Sequence, residues 1–473
     1  MNLNELTITQ AQKGLENKDF SSSELVTACL NRIKKIDNSV KAFVIVCEKE
    51  ALEQAKEVDK QLNHSPFTIN HSPLLGIPIA VKDNFCTKGI KTTASSNVLK
   101  DYIAVYDATV IKKLKDAGAI ILGKTNMDAW AHGSSTETSD FFTTHNPWNL
   151  ERVPGGSSGG SAAAIASDMS IGAIGSETGG SIRQPASWCG VVGFKPSYGR
   201  VSRYGLISMA SSFDCPGPIT KTVEDAALML EVLAGKDEND ATTSFGEVSK
   251  YLENCQKPLR EMKIGVPKEY FQNIDQEVKD SVWKALDTIK QLGGKIIEIS
   301  LMEPKYAIAV YTILQRAEVS SNLARFDGIR YGNDRDSFGE EAKRRIMLGT
   351  YTLSSGYYDA YYQKAQKVRT LICQDFQKAF ESVDIIIGPT SPTTALKIGQ
   401  SKESVMFGEI QDMLVEPSTI AGLPGLNLCC GYSSESLPIG MQIIGPQFSE
   451  DKVLQLGYAY QNTTDWHLKT TTI

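Results

Sequence analysis

Residues 154–193 read PGGSSGGSAAAIASDMSIGAIGSETGGSIRQPASWCGVVG, and the order of residue types in this stretch decides the architecture. Small residues fill 161–167 as in a tightly packed helix, and IGAIGS (171–176) reads as a buried strand. The glycine turn TGGS (178–181) follows, and SIRQPA opens another helix. Helix, strand, tight turn and helix in succession predict an α/β protein with a central mixed sheet covered by helices on both faces. A Gly/Ser-rich linker is the competing reading. It fails because the small residues continue into well-patterned helix and strand. The glycines also cluster at two separate serines, Ser157 and Ser181, where backbone must approach something closely.

Outward from this stretch the same alternation continues. LLGIPIAVK (74–82) and AIILG (119–123) read as buried strands, with the helix ATVIKKLKDAGA between them and the turn and loop KTNMDAWAHGSS after. Residues 1–60 predict helices, one of them opened by a capping box from Ser21 to Glu24. Long helices are predicted over 275–294 and 340–382, and buried strands at DIIIGPTS (384–391) and GLNLCCGY (425–432). With no internal repeat and no low-complexity linker, the reading is one domain over 1–473. Its N-terminal helices lie at 1–60, its core at 65–240 and the rest of its sheet and helices at 241–473.

Of 473 residues, 41% are hydrophobic and 22% charged, enough apolar chain for a large core. A net charge of -6 argues against a broad basic face gripping nucleic acid, though not against docking on RNA through a partner. The nine cysteines include no CxxC pair, and Cys429 and Cys430 are adjacent, which suits reduced thiols in a cytoplasmic protein. The N-terminus carries no basic stretch followed by an apolar run, and the apolar runs are too short for a bilayer, so no membrane is expected.

Two short motifs match and fail on context. Gly118-AIIL-Gly123-Lys124-Thr125 fits the phosphate-loop pattern, but a helix precedes it and the residues between the glycines are strand-like. Gly155-Gly156-Ser157-Ser158-Gly159 fits the hydrolase nucleophile elbow, which needs a strand before it and a histidine after it. The lead-in NPWNLERVP is not strand-like. Of His64, His71, His132, His145 and His467, only His467 follows.

Taken whole, 154–193 closely resembles the signature of the amidase signature family, and the resemblance extends to GIPIAVKDN (76–84) around Lys82. In that family a lysine, a serine after a cis peptide bond and a second serine form the catalytic triad, and the separations of 75 and 24 residues match. The resemblance implies Lys82, Ser157 and Ser181 as the triad, a cis Gly156–Ser157 bond, and Ser158 as a support within the same loop. The residues themselves agree with such chemistry. A serine hydroxyl needs a base to take its proton, and with histidine scarce lysine is the available one. Lys82 must then be neutral, and it follows a buried strand where desolvation lowers an amine's pKa. Ser157 would relay a proton from Ser181 to Lys82. The backbone N–H groups of Thr178, Gly179, Gly180 and Ser181, at a helix start, would form the oxyanion hole. The resulting cycle needs neither metal nor organic cofactor.

Further stretches resemble one branch of the family, the A subunits of the glutamyl-tRNA(Gln)/aspartyl-tRNA(Asn) amidotransferases. They are GFKPSYGRVSRYGLISMASSFDCPGPITKTVEDAA (193–227), RAEVSSNLARFDGIRYG (316–332), AKRRIMLGTYTLSSGYYDAYYQKAQKVRTLI (342–372), STIAGLPGLNL (418–428) and YAYQNTTDWH (458–467). That resemblance implies glutamine hydrolysis through an acyl-Ser intermediate. Ammonia would pass to a B subunit that uses ATP and Mg to amidate misacylated tRNA, with a small C subunit clamping the heterotrimer. It places Arg345 and Asp412 at the charged groups of glutamine and Tyr311 on the pocket wall. Arg345 also reads as a surface charge beside Arg344. Two departures stand out. Only NDRDS (333–337) remains where relatives have a longer insert, and Trp130 and His132 stand in MDAWAHGSSTE, His132 as a pocket or a packed-loop residue. The competing functions are a stand-alone amidase for small or aryl amides, which would lack the charged pair, and a non-enzymatic scaffold, which would lack part of the triad.

Overall fold

The computed structural model describes residues 2–64, 72–259, 261–404 and 406–473. Residues 65–71, which hold His71 and the start of the expected 65–240 segment, lie outside the described residues.

Eleven strands form one mixed sheet: β1 (Phe43–Val46), β2 (Pro78–Lys82), β3 (Ile120–Thr125), β4 (Gly172–Glu177), β5 (Val192–Lys195), β6 (Cys215–Thr220), β7 (Met262–Pro267), β8 (Gly294–Ile299), β9 (Ile385–Pro389), β10 (Gly425–Tyr432) and β11 (Pro438–Ile444). Their order is β1-β3-β2-β4-β6-β5-β10-β11-β9-β7-β8. β2 lies parallel between β3 and β4, β9, β7 and β8 are mutually parallel, and the other pairs are antiparallel. The fold is α/β, as the alternation of elements predicts. All residues of β2, β3 and β4 are buried, which is why they read as continuous apolar runs rather than as alternation. The helix Thr109–Asp116 carries the crossover from β2 to β3, and Gly159–Ala166 the one from β3 to β4. The helix Ser22–Val40 is closed at its start by the Ser21–Glu24 capping box, which satisfies two otherwise unpaired N–H groups.

Several local expectations change. Residues 1–60 are not all helix, because β1 pairs with β3 at the sheet edge. Residues 73–76 form a turn, and only Pro78–Lys82 is strand. The helical run over 340–382 breaks after Leu353, where Gly356 takes φ +87. Gly123 of the phosphate-loop pattern lies within β3, and the Lys124 ammonium is buried, donating to the Phe85 carbonyl and Thr92 hydroxyl. β6 holds Pro216 and Pro218, residues that argue against a central strand when read from sequence. Alternate residues direct their N–H groups to the same side of a strand, so this pair removes donors on one side only. All nine cysteines are free, eight of them buried. No helix among the described residues is long and apolar enough to cross a membrane.

Candidate active site

β2 and β4 run in parallel, so their carboxyl ends open at the same edge of the sheet, where α/β proteins place ligands. Lys82 is the last residue of β2 and is fully buried. Its Nζ donates to Ser157 Oγ at 2.7 Å and to the Ser176 carbonyl at 3.0 Å. Burial brings its pKa down to about 7, against the upward pull of Asp128, Asp214 and Glu177. A lysine so placed is neutral in a large fraction of molecules near neutral pH.

Ser157 sits in the loop ahead of the helix Gly159–Ala166, and the Gly156–Ser157 peptide bond is cis. The loop is held from three sides. Gln184 Oε1 accepts from the Gly156 N–H at 3.0 Å, and Ser158 Oγ donates to the Ser176 carbonyl at 3.2 Å. The Ser158 N–H donates to the Ser181 carbonyl at 3.1 Å. Gly156 is needed because a Cβ there would collide with Asp128 Oδ2 and lie 2.7 Å from the Ser135 nitrogen. Nothing in the sequence marks Asp128. It is buried and accepts from the Thr138 hydroxyl at 2.9 Å and the Ser135 N–H at 3.2 Å.

Ser181 lies two residues before its helix, which begins at Arg183 and not at the serine. The helix start is already occupied: Glu177 Oε2 accepts from the N–H groups of Ile182 and Arg183 at 3.1 and 3.0 Å. Glu177 also pairs with the buried Arg183 guanidinium at 2.6 Å. The helix dipole therefore serves Glu177, and the loop ahead of it carries the remaining donors. Among the described residues, no protein acceptor takes the backbone N–H groups of Thr178, Gly179, Gly180 or Ser181. Asp214 fixes one end of this loop by accepting from the Thr178 hydroxyl at 2.6 Å, and Thr419 fixes it again by donating to the Gly179 carbonyl at 2.7 Å. No hydrogen bond links the Ser157 and Ser181 hydroxyls among the described residues. Catalytic hydrogen bonds often tighten only around a seated substrate.

Ser181 lines a small cavity together with Tyr311, Arg345 and Asp412. Residues more than two hundred positions apart in the chain thus meet at one serine. Tyr311 comes from the helix Pro304–Leu323, Arg345 from Glu340–Leu353 and Asp412 from Phe407–Asp412. Arg345 is buried, not a surface charge. Burial opposes its charge, but Glu341 and Glu409 outweigh that, and its Nε donates to Glu341 at 2.6 Å. Asp412 Oδ2 accepts from the Ser134 hydroxyl at 2.8 Å, while its Oδ1 is buried with no partner. Burial pushes this carboxyl well above the usual carboxylate range. The glycines of the turn make the approach possible. A Cβ on Gly179 would lie 3.0 Å from the Tyr311 ring, and one on Gly180 would collide with Asp412 Oδ1 and meet Val415 Cγ2 at 2.5 Å. Gly180→Ala is therefore expected to destabilise the protein by about 1–3 kcal/mol through overpacking. Amide hydrolysis should fall more than about tenfold as Asp412 is displaced, since small misplacements in a site are costly. Thermal melts and steady-state kinetics of the variant check both.

A wider vestibule shares Gly133, Ser134, Arg345, Gly408 and Glu409 with this cavity. His132 lines the vestibule and not the Ser181 cavity. It is buried with neither ring nitrogen bonded, and burial beside Arg345 and Arg316 holds it neutral. Residues 333–337 pack on the Asn97–Leu99 turn, Asn333 donating to the carbonyls of Val98 and Asn97 at 2.8 Å. Glu416, Glu409 and Met209 also wall the Ser181 cavity and carry no signal in the sequence. Met209 lies within the quoted 193–227 stretch but nothing singles it out there, and only the fold brings Glu409 and Glu416 to the cavity.

The family model described as Amidase matches residues 24–454. The A subunit of a glutamyl-tRNA(Gln) amidotransferase from Desulfatibacillum aliphaticivorans is 50% identical, with 99% of each chain covered. The crystal structure of a glutamyl-tRNA(Gln) amidotransferase A subunit from Thermotoga maritima superposes with a TM-score of 0.83 at 42% identity, covering 98% of this chain and 96% of that one. A 6-aminohexanoate cyclic dimer hydrolase reaches a TM-score of 0.88 over 99% of both chains, but at 24% identity that likeness speaks for the fold alone. Agreement of fold and sequence over almost the whole length places the chain in the amidase family.

Proposed function

We propose that this chain is the glutamine-hydrolysing A subunit of a tRNA-dependent amidotransferase, releasing ammonia for amidation of Glu-tRNA(Gln) or Asp-tRNA(Asn). The observation that carries the reading is the charge pattern at Ser181. One cavity presents a guanidinium, Arg345, and a carboxyl with a free oxygen, Asp412. That pair complements the α-carboxylate and α-ammonium of free glutamine and leaves the side-chain amide to reach the serine. The full-length likeness to A subunits of glutamyl-tRNA(Gln) amidotransferases supports the same reading.

The neutral Lys82 amine draws a proton through the Ser157 hydroxyl from Ser181, whose Oγ attacks the carboxamide carbon. Oxygen takes the negative charge and is received by the free amides of residues 178–181. Collapse of the intermediate expels ammonia as the relay returns its proton, leaving an acyl ester on Ser181. Water, deprotonated by the same relay, attacks the ester, releases glutamate and restores the serine. Ser158 keeps the two serine loops together, and Tyr311 forms the wall over Gly179. The relay uses side chains only. ATP and Mg belong to the B subunit, which holds the misacylated tRNA, and a C subunit completes the heterotrimer. The nine free thiols suit a cytoplasmic location.

Arg345→Ala tests the reading. A charge-assisted hydrogen bond is worth about 1.5–3 kcal/mol, so kcat/KM for glutamine should fall roughly ten- to a hundredfold. Hydrolysis of an uncharged amide should change far less. Glutamine turnover should rise when co-purified partners and misacylated tRNA are added. Equal losses on both substrates, with no partner and no tRNA response, would leave a stand-alone amidase.

A further inference from the structure

Glu416 opens the short helix Glu416–Ile420 and is fully buried. Neither of its carboxyl oxygens has a hydrogen-bond partner, and it lines the Ser181 cavity beside Asp412, Tyr311 and Arg345. A buried carboxyl left unbonded is costly, so it is kept only where something else meets it. Neither nearby cation bonds it: Arg316 pairs with Glu409 at 2.8 Å, and the Arg345 Nε with Glu341 at 2.6 Å. The helix that carries Glu416 is also firmly seated. Arg183 donates to Thr419 Oγ1 at 2.8 Å and to the Val415 carbonyl at 3.1 Å, and Thr419 bonds the Gly179 carbonyl. Glu416 is therefore held in place against the nucleophile loop.

An ammonium group has three N–H donors. Asp412 can meet only part of that demand, because its Oδ2 already accepts from Ser134. Asp412, with its free Oδ1, and Glu416, with two free oxygens, line the same cavity. We infer that Glu416 is a second carboxyl ligand for the α-ammonium of the substrate, acting with Asp412 to make the site selective for amides that carry a cation beside the α-carboxylate. This rests on the glutamine reading and adds to it a residue that sets substrate choice. The groups facing Glu416 agree with the assignment. Burial, then Asp412 and Glu409, disfavour its charge, while Arg316 and Arg345 favour it. An entering ammonium tips that balance toward the charged carboxylate.

The test compares L-glutamine with glutaramate, which lacks only the α-amine, on the full chain with its co-purified partners. Glu416→Gln keeps the shape and removes the charge. Its kcat/KM for glutamine should fall about ten- to a hundredfold, and that for glutaramate by less than about threefold. Glu416→Leu, which also removes both acceptors, should widen the gap, and Glu416→Asp should narrow it. Glu416→Asp carries the same comparison if the Gln variant does not fold. Equal losses on the two substrates would make Glu416 a structural residue, and an unchanged glutamine rate would remove it from the site. Either result overturns this inference while leaving glutamine hydrolysis standing. A wild-type chain and complex that do not hydrolyse glutamine would overturn the functional reading and this inference together.

Discussion

Ser181→Ala is expected to lower glutamine hydrolysis by at least about a thousandfold, some 4 kcal/mol at 1.4 kcal/mol per decade. The reason is chemical. Alanine has no oxygen to form the acyl ester, and Ser134, the other serine lining the cavity, spends its hydroxyl on Asp412. Folding should survive, because the Ser181 backbone carbonyl, not its hydroxyl, anchors the loop, accepting from the Ser158 N–H at 3.1 Å. The variant should melt within about 1 kcal/mol of wild type, the ordinary range for losing one modest hydrogen bond. Acid-quenched wild type should carry a glutamyl adduct on the peptide containing Ser181, and the variant none. A folded Ser181→Ala protein with near-normal turnover would remove Ser181 from the chemistry.

Lys82 carries the second large effect. Lys82→Arg keeps the positive charge but cannot become neutral, so it cannot accept the proton that Ser157 passes on. Lys82→Met is neutral but has no basic nitrogen. Both should lose at least about a hundredfold, the range for removing a general base. If the lysine acted only as a charge, Arg would retain much of the activity and Met little. The pH dependence gives an independent reading. Burial holds the Lys82 pKa at about 7, and the neutral amine is the working form. Activity should therefore rise with pH through about 7 and level off above it, and below 7 it should drop about tenfold per pH unit. A rising limb near pH 10.5, the ordinary lysine range, would show that the amine is not desolvated during turnover.

The alternation of small-residue helix, apolar strand and glycine turn over 154–193 specifies an α/β sheet because helix and strand patterns differ in period and the glycines mark where the chain must turn. Lys82, Ser157 and Ser181 could be named from sequence for a related reason. They lie on two short motifs that resemble the amidase signature, and matching a motif needs no tertiary information. The strands in VGFK, CPGPIT and GKIIEI are less readable. Each is short or interrupted by proline or charge, and its stability comes from neighbours in the sheet, not from its own propensity. The helix expected to start at Ser181 begins at Arg183, because Glu177 folds back onto its first amides and leaves the preceding loop's amides free. That division of donors is a tertiary matter. Asp128 lies in the quoted MDAWAHGSSTE loop without being singled out there, Glu409 and Glu416 lie outside the quoted stretches, and only the packing of distant loops and helices buries all three near the serines. Charge in the site follows the same rule. The family resemblance implies Arg345 and Asp412, but whether a guanidinium is solvated or a carboxyl lacks a partner depends on what covers it, and cover comes from segments distant in the chain, such as Ser134 against Asp412.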